Sequence, residues 1–145
     1  MKRAILLLVM IPCFAGYAQE SGYQESLIAQ FPFYRTARSV FAPVYPALAR
    51  QLVQDYGITK GVAVDLGGGE GSLAVELAGI TDLTVYSVDI NPAAVRLCHM
   101  MADQSRLTGR VLAIEADATD LPLRDGLADL VVSRNSLFQW PDPVA

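Results

Sequence analysis

The sequence has few of the residues from which disulfide frameworks, metal sites and hydrolytic catalytic sets are built. It contains two cysteines and one histidine among 145 residues. Cys13 lies in a segment that we expect to be removed, and no C-x-x-C spacing occurs, so neither a disulfide framework nor a zinc site is predicted. His99 has no second candidate ligand nearby and is more typical of a helix surface than of a catalytic base. We therefore predict no metal ion.

Positive charge is also scarce, which bears on the choice of partner. Eleven lysines and arginines stand against fifteen acids, so the net charge is −4. An acidic chain without a basic patch argues against nucleic acid as the main partner. The length allows one domain at most, and a composition of 52% hydrophobic and 18% charged residues is typical of a globular protein.

Residues 1–18 have the pattern of a secretory signal peptide. Lys2 and Arg3 precede an apolar run, and Gly16 and Ala18 supply the small residues that a signal peptidase reads. The run is shorter than the about 20 apolar residues of a membrane-spanning helix. We expect a signal peptide, with a retained N-terminal anchor as the alternative, and no stable membrane contact beyond this leader.

Residues 19–57 are expected to form a linker followed by short helices. Gln19–Gln30 is polar with few apolar residues and is predicted to be a loose linker. Apolar residues then recur at helical spacing. Pro43 stands near the start of the resulting helix and Gly57 at its end.

The stretch from Val62 to Gly71, V-A-V-D-L-G-G-G-E-G, predicts a strand, a tight turn and a helix in succession. Its apolar start suits a buried parallel strand. Gly67, Gly69 and Gly71 permit positive φ and let a ligand approach the backbone closely. Because a helix begins at Ser72, its free N–H groups face whatever binds above the loop.

Asp89 follows the second predicted strand, at the strand end where ligands bind in open parallel sheets. That strand is Val85–Val88, and Asp82–Thr84 before it is predicted to be a turn. Asp89 falls 18 residues after Gly71, close to the spacing of a ribose-binding acid. A carboxylate suits this task because it accepts hydrogen bonds from both ribose hydroxyls. The alternative is a solvated turn aspartate before a helix.

A helix, two strands and a final helix start complete the predicted elements. The helix begins with Asn91 as its cap and Pro92 in its first turn and runs to about Arg106. We expect its buried side to be Val95, Leu97, Cys98 and Met101. The later predicted elements are strands Val111–Glu115 and Leu127–Ser133 and a helix start at Trp140–Pro143.

The glycine loop and the segment after the fourth strand resemble two motifs of one enzyme family. Asp65–Gly71 has the spacing D-x-G-x-G-x-G of motif I in class I S-adenosylmethionine-dependent methyltransferases. Ser133–Trp140 is similar to the family's S-R-G-S-L-F-F-W, with Asn135 and Gln139 as departures. The dinucleotide fingerprint G-x-G-x-x-G is not matched, since Ser72 stands where its last glycine would be.

The resemblance implies an α/β fold, a Rossmann-like parallel sheet with flanking helices and strand order 3-2-1-4. This is the N-terminal half of the class I methyltransferase fold. Residues 58–145 would form an S-adenosylmethionine-binding domain that is incomplete at its C-terminus, so we expect a fragment or a truncated reading frame. Within the family, the chain is similar to small-molecule enzymes related to quinone-biosynthesis methyltransferases.

The resemblance also implies how the cofactor S-adenosyl-L-methionine is bound. The glycine loop would wrap its methionine end, Asp89 would bind the ribose, and Ile90 would pack on the adenine. Asp117 would accept from the adenine amino group, and the N–H of Ala118 would meet a ring nitrogen. The predicted cofactor-binding residues are Asp65, Gly67, Gly69, Gly71, Asp89, Ile90, Asp117, Ala118 and Ser133.

Helices before motif I cover the cofactor in this family and help to shape the acceptor site. Tyr34, Arg35, Tyr45 and the phenylalanines would do so here. For any single one of them, ordinary aromatic packing or a surface arginine is the favoured interpretation. Ser133 and Asn135 lie where the family brings the methyl group and the acceptor together.

The predicted function is methyl transfer from S-adenosylmethionine to a small-molecule acceptor. Because the sulfonium already activates the methyl group, alignment of the two reactants supplies much of the acceleration, and no catalytic residue is named. An NAD-dependent oxidoreductase is one alternative, since it shares the strand–glycine–helix–acid arrangement. A non-catalytic exported binding domain is the other. The leader predicts export, whereas the cofactor is made in the cytoplasm, so the location stays open, as does the oligomeric state.

Overall fold

A parallel sheet of four strands forms the centre of the chain in the computed structural model, which describes residues 11–140. The strands are β1 (Lys60–Leu66), β2 (Asp82–Asp89), β3 (Val111–Glu115) and β4 (Leu130–Ser133). Their order across the sheet is β3-β2-β1-β4, and all neighbouring pairs are parallel. This confirms the predicted fold class and strand order.

Five α-helices and a short 3-10 helix accompany the sheet in the described residues. They are α1 (Ile11–Gln30), α2 (Phe33–Ser39), α3 (Val44–Tyr56), α4 (Ser72–Ile80), α5 (Pro92–Gln104) and the 3-10 helix Leu137–Gln139. Helix α4 connects β1 to β2, and α5 connects β2 to β3. No helix among residues 11–140 combines the length and the hydropathy that crossing a membrane requires. The helix predicted to start at Trp140–Pro143 falls largely outside the described residues.

Helix α1 overturns the prediction that Gln19–Gln30 is a loose linker. Leu27 and Ile28 are buried and pack with Ala93 and Leu97 of α5. A count of apolar residues misses this helix because its stability comes from a tertiary partner rather than from its own composition. The helix also runs through the predicted leader boundary between residues 18 and 19, and residues 1–10 lie outside the described part of the chain.

Two strand boundaries differ from the predictions because of pairing with β1. Asp82–Thr84, predicted to be a turn, is the start of β2, since it lies in register with the first residues of β1. The fourth strand begins at Leu130 rather than at Leu127. Just before it, Asp129 donates its backbone N–H to the Val62 carbonyl and accepts from the Val62 N–H with its carboxylate, both at 2.8 Å.

The predicted helix ends are confirmed where a capping residue defines them. Gly57 ends α3 in a left-handed conformation with φ of 68°. Asn91 caps α5 by accepting the Ala93 N–H at 2.9 Å, with Pro92 in the first turn. Helix α5 ends slightly earlier than predicted, at Gln104, because Arg106 takes a positive φ of 58°.

The main core lies between one face of the sheet and helices α3, α4 and α5. It joins Ala63, Val85 and Val111 of the strands to Ala49 of α3, Leu77 of α4 and Cys98 of α5, all at 1% exposure or less. The predicted buried side of α5 is confirmed, and His99 is exposed as expected. Strand β4 is the outer strand beside β1, and its Val131 is 57% exposed. This core sets the ends of β1, β2 and β3 side by side.

Candidate functional site

A cleft of about 830 Å³ opens where the strands end, a size typical of small-molecule sites. Its floor is the loop after β1, and its walls come from the ends of β2 and β3, from helices α2 and α3, and from the segment after β4. Residues of four kinds line it: glycines (Gly67, Gly68, Gly69), acids (Asp65, Glu70, Asp89, Asp117), aromatics (Phe31, Phe33, Phe41, Tyr45, Trp140) and polar residues of the last segment (Arg134, Asn135, Ser136, Gln139).

The glycine loop takes the predicted left-handed turns and is fastened to the neighbouring strand. Gly67 and Gly69 have φ of 69° and 58°. The N–H groups of Gly67 and Gly68 both donate to the Val88 carbonyl of β2, at 2.8 and 3.0 Å. These bonds hold the loop beneath the cleft, so the two predicted glycines lie where a ligand would contact the backbone.

Gly71 serves packing instead of lining the cleft. It has φ of 85° and caps α4, and a Cβ there would collide with the side chain of Cys98 in α5. The glycine thus lets α4 and α5 approach each other. Helix packing explains its position in the motif, and it does not line the cleft as Gly67 and Gly69 do.

Asp65 lies at the end of β1 and is almost completely buried, with 2% of its surface exposed. Burial, together with the nearby carboxylates of Glu70 and Asp89, raises the pKa of Asp65 to about 7, although Arg134 opposes the shift. Its Oδ2 atom is buried without a hydrogen-bond partner. An uncompensated buried carboxyl in a cleft is typical of a group that meets a ligand.

Glu70 is a second buried acid of the cleft, and the sequence analysis did not select it. It is 2% exposed and accepts a hydrogen bond from the Ser72 hydroxyl. Burial is the main cause that raises the pKa of Glu70. The sequence signal that could have identified Glu70 was its position between Gly69 and Gly71, because a side chain between two turn glycines lies close to the ligand site.

Asp89 stands at the end of β2, and both of its carboxylate oxygens are held by the backbone. Oδ2 accepts from the Gly69 N–H and Oδ1 from the Asn91 N–H, each at 2.9 Å. These bonds orient the carboxylate over the cleft and tie it to the glycine loop. Ile90 beside it is 68% exposed at the rim, where a flat apolar ligand surface would cover it.

Asp117 and Ala118 follow β3 and line the third wall, as predicted. Asp117 also forms a local turn, since its Oδ1 accepts from the Thr119 N–H at 2.9 Å and from the Thr119 hydroxyl at 2.8 Å. These two bonds lower the pKa of Asp117. Asp117 thus forms a turn and also lines the cleft.

Ser133, predicted to contact the cofactor, lies one layer behind the cleft. Its hydroxyl lies 2.6 Å from the Ser136 hydroxyl, and Ser136 donates to the Leu66 carbonyl at 3.0 Å. Ser136 is the residue that lines the cleft, with Asn135 beside it in the left-handed conformation at φ of 58°. Asparagine tolerates that geometry, as the comparison with the family's glycine implied.

The predicted lid residues divide into two groups. Phe31, Phe33, Phe41 and Tyr45 line the cleft. Tyr34 and Arg35 do not: the Tyr34 hydroxyl accepts a long bond from Gln24, and Arg35 pairs with Glu25 at 3.0 Å on the exposed surface. The surface interpretation is thus correct for Arg35. The four cleft aromatics pack as expected against neighbouring apolar side chains, and the lid role stays a prediction.

Arg134 also lines the cleft, in the segment after β4, and was not among the predicted site residues. Its guanidinium carbon lies 4.6 Å from the ring centre of Phe41 and 4.7 Å from that of Tyr45. Its Nη1 donates to the Tyr45 hydroxyl at 3.1 Å. Burial first, and then the charge of Glu70, raise the pKa of Tyr45. This contact crosses 89 positions of the chain, so no local pattern could reveal it.

Comparison with known proteins connects this architecture to one family. Residues 64–145 match the family model described as a methyltransferase domain. The chain is 42% identical over 92 residues to malonyl-[acyl-carrier protein] O-methyltransferase of Geobacter sulfurreducens, an alignment that covers 58% of this chain and 30% of that protein. The chain spans less than half the length of the curated relatives it matches.

Solved structures share the fold as well. A Methanococcus maripaludis protein assigned to the S-adenosyl-L-methionine-dependent methyltransferases superposes with a TM-score of 0.76 and 29% identity, covering 80% of this chain and 53% of that one. Geranyl diphosphate C-methyltransferase of Streptomyces coelicolor, solved with S-adenosyl-L-homocysteine, has a TM-score of 0.56 and 21% identity, covering 60% and 34%. The family model covers more than half of the sequence, and the strand order and cleft agree with it. This chain belongs to the methyltransferase domain family of class I S-adenosylmethionine-dependent methyltransferases.

Proposed function

We propose that the protein binds S-adenosyl-L-methionine in the cleft and transfers its methyl group to a small-molecule acceptor. The observation that carries this proposal is the meeting of three acids, Asp65, Asp89 and Asp117, from the ends of three adjacent strands around one glycine loop. A nucleoside with a charged amino-acid tail offers hydroxyls, a ring amine and an ammonium group to such a set.

The residues present fit that cofactor on two grounds. Asp65 carries a buried oxygen without a partner, which suits a ligand that brings a positive charge or a hydrogen-bond donor. Asp89 is oriented by two backbone bonds and retains lone pairs for ribose hydroxyls. When bound, the cofactor supplies a methyl group activated by a sulfonium.

The work left to the protein is positioning and the exclusion of water. Phe31 closes over the glycine loop, since a Cβ on Gly69 would lie 3.2 Å from the Phe31 ring. Phe41 and Tyr45 also line the cleft. Holding two reactants in line in a site shielded from water supplies a large share of the acceleration in such transfers. We assign no general base.

A small molecule is the acceptor class that the cleft favours. The cleft has the volume of a small-molecule site, and aromatic rings make up much of its wall. The named relatives act on a malonyl group held by a carrier protein and on geranyl diphosphate, so compact acceptor groups occur in related proteins. The net charge of −4 argues against nucleic acid as the acceptor.

Two alternatives remain as outcomes of the test. The NAD-dependent oxidoreductase is disfavoured by membership of the methyltransferase family. Binding data alone would not exclude a non-catalytic exported binding domain, so an activity measurement is required to distinguish it from an enzyme. The location is a separate proposal: we propose that residues 1–18 are a signal peptide, with a retained N-terminal anchor as the alternative that keeps the domain with its cytoplasmic cofactor. N-terminal sequencing of the protein from cells would distinguish removal from retention.

Calorimetric titration with S-adenosylhomocysteine, with NAD as the control ligand, tests the proposal. We expect saturable binding of S-adenosylhomocysteine and none of NAD. Asp89→Ala should weaken binding by about 10-fold to about 100-fold, because hydrogen bonds to a charged group contribute about 1.5–3 kcal/mol.

Asp82→Ala is the matched control, because it removes an exposed acid from the opposite end of the same strand. It should leave the affinity unchanged. Binding of NAD in preference to S-adenosylhomocysteine, or equal losses in the two variants, would contradict the proposed cofactor site. Methyl transfer would then be measured with radiolabelled S-adenosylmethionine on the protein extended to the length of its relatives.

A further inference from the structure

Arg134 is the basic residue of the cleft lining, and the cofactor site proposed above gives it no role. The described lining contains several acids and no other lysine or arginine. The acids Asp65, Glu70 and Asp89 come from the end of β1, the glycine loop and the end of β2. Arg134 follows β4, the strand beside β1, and its charge acts on Asp65 without forming an ion pair with it. The lining of the cleft therefore places one cation among several acids.

The guanidinium of Arg134 is held in place before any ligand arrives. It lies near the rings of both Phe41 and Tyr45, at 4.6 and 4.7 Å from their centres. Cation–π contacts of this kind fix the position of a guanidinium without using its N–H groups. The bond from Nη1 to the Tyr45 hydroxyl restricts it further. An arginine restrained in this way loses little conformational entropy on binding an anion.

Most of the hydrogen-bonding capacity of Arg134 is unused. A guanidinium has five N–H donors, and Arg134 uses one of them, toward Tyr45. Among the side chains that the structure describes, Arg35 and Glu25 form the ion pair within 4.0 Å, so Arg134 has no carboxylate partner there. A half-buried cation with free donors in a cleft is suited to an anion that the ligand supplies.

We propose that Arg134 is a specificity-determining residue that binds a carboxylate of the ligand, with Phe41 and Tyr45 as the residues that position it. A carboxylate matches the planar fork of a guanidinium through two parallel hydrogen bonds. The inference rests on the proposed function, because it concerns the same cleft. The carboxylate has two sources: the amino-acid end of the cofactor, or an acidic acceptor.

A purely mechanical role is the competing explanation, in which Arg134 fastens the α2–α3 loop and α3 to the end of β4. The two roles differ in what they predict for ligands with and without a carboxylate. A mechanical clamp affects every ligand of the cleft alike. A carboxylate-binding residue affects the ligands that carry the carboxylate and leaves the others unchanged.

The test measures ligand affinity for the full 145-residue chain through tryptophan fluorescence. Trp140 is the single tryptophan and lines the cleft, so its emission reports on occupancy. The first two ligands are S-adenosylhomocysteine and its decarboxylated analogue, which keeps the amine and lacks the carboxylate. The third is succinate, which is added to each nucleoside complex and to the protein alone. The proteins are the wild type, Arg134→Gln and Arg134→Lys, which keeps the charge but not the fork. Arg96→Gln is the control, because it removes an exposed arginine of α5 outside the cleft.

Two results support the proposal and identify the source of the carboxylate. If the cofactor supplies it, Arg134→Gln weakens S-adenosylhomocysteine by about 10-fold to about 100-fold and leaves the decarboxylated analogue within about twofold. If the acceptor supplies it, both nucleosides bind as before, and succinate binds the wild-type complex at least about tenfold more tightly than the variant complex. Arg134→Lys should fall between wild type and Arg134→Gln, and Arg96→Gln should match wild type.

Two results overturn the proposal. The first is equal weakening of both nucleosides by Arg134→Gln, which shows the mechanical clamp. The second is unchanged nucleoside binding together with succinate binding that is absent or the same in wild type and variant, which shows that Arg134 binds no carboxylate. Failure of the proposed function looks different: neither nucleoside then binds the wild type. In that case succinate added to the protein alone still decides whether Arg134 binds a carboxylate.

Discussion

The two walls of the cleft are built in different ways. The acidic wall consists of Asp65, Glu70 and Asp89, which lie on one β–α–β unit and are joined by backbone bonds such as Gly69 N–H to Asp89. The second wall, which we call the guanidinium wall, brings Tyr45 of α3 against Arg134 after β4, across 89 positions of the chain. The acidic wall is built from residues close together in the chain, whereas the guanidinium wall depends on how separate elements pack.

The difference suggests a division of labour within the cleft. A wall made by one continuous motif suits a ligand that never changes, such as a common cofactor. A wall assembled from distant elements can vary without disturbing that motif, which suits an acceptor that differs between relatives. The substitutions of Asp89 and Arg134 described above test the two walls separately. Three further substitutions test the acidic wall, the junction of the walls and the attachment of α1.

The largest effect is expected at Asp65, from the change of stability with pH. The carboxyl is protonated more readily in the folded protein, where its pKa is about 7, than in the unfolded chain, where it is 3.8. The contribution of Asp65 to stability is then fully present below about pH 4 and is lost as pH rises to about 7, a change on the order of 4 kcal/mol. Asp65→Asn should remove this loss.

Urea unfolding of wild type and Asp65→Asn at pH 5 and pH 8 measures this difference. The variant should gain stability relative to wild type at pH 8, because its buried side chain carries no charge. Asp82→Asn is the control, since that acid is exposed. Parallel pH dependences for wild type and Asp65→Asn would show that the carboxyl of Asp65 is not the group responsible.

A smaller loss is expected where the two walls meet, at Gly67. A Cβ there would collide with the side chain of Ser136, and φ is 69°. The left-handed backbone and the overpacking together predict that Gly67→Ala lowers the free energy of unfolding by about 3 kcal/mol. Urea denaturation measures the loss, and titration should show weaker binding of S-adenosylhomocysteine.

Gly79→Ala is the matched control for Gly67→Ala. Gly79 lies within α4, and a Cβ there meets nothing within 4 Å. Alanine is the better helix former, so this change should stabilise the protein by about 0.5–1 kcal/mol. Equal effects of the two substitutions would refute the contact between Gly67 and Ser136 as the cause.

The smallest effect is expected at Asn91, which attaches α1 to the acidic wall. Its Oδ1 caps α5 through the Ala93 N–H, and its Nδ2 donates to the Gln30 carbonyl at 3.2 Å. Asn91→Ala removes both bonds and should cost about 1–2 kcal/mol. Asn91→Asp keeps the cap and removes the donor, so it should cost about half as much.

Hydrogen exchange resolves the two contributions of Asn91. Both variants should exchange faster near the end of α1, whereas faster exchange at the start of α5 is expected for Asn91→Ala alone. If Asn91→Asp leaves the exchange of α1 unchanged, the bond to Gln30 does not hold the helix.

The acidic wall was predictable from sequence except for Glu70, because the residues that build it lie close together in the chain. Seven predicted cofactor residues line the cleft: Asp65, Gly67, Gly69, Asp89, Ile90, Asp117 and Ala118. Each lies in the glycine loop or at the end of a strand or just after it. Periodicity and turn chemistry predict those places, and the resemblance to the family implies the cofactor contacts. Gly71 and Ser133 share those motifs but serve packing and support, which spacing alone does not distinguish from ligand contact.

The sequence by itself determined the glycine turns and the acids at the strand ends, because strand periods, caps and positive-φ turns depend on neighbouring residues, whereas the sheet order was implied by the resemblance to the methyltransferase family. Tertiary structure alone decided that Gln19–Gln30 is helical, that Glu70 is buried, and that Arg134 lies against Phe41 and Tyr45. In each of those cases the stabilising partner is distant in the chain or the side chain is buried away from water. Burial and long-range contact are properties of the packed molecule, and no local pattern encodes them.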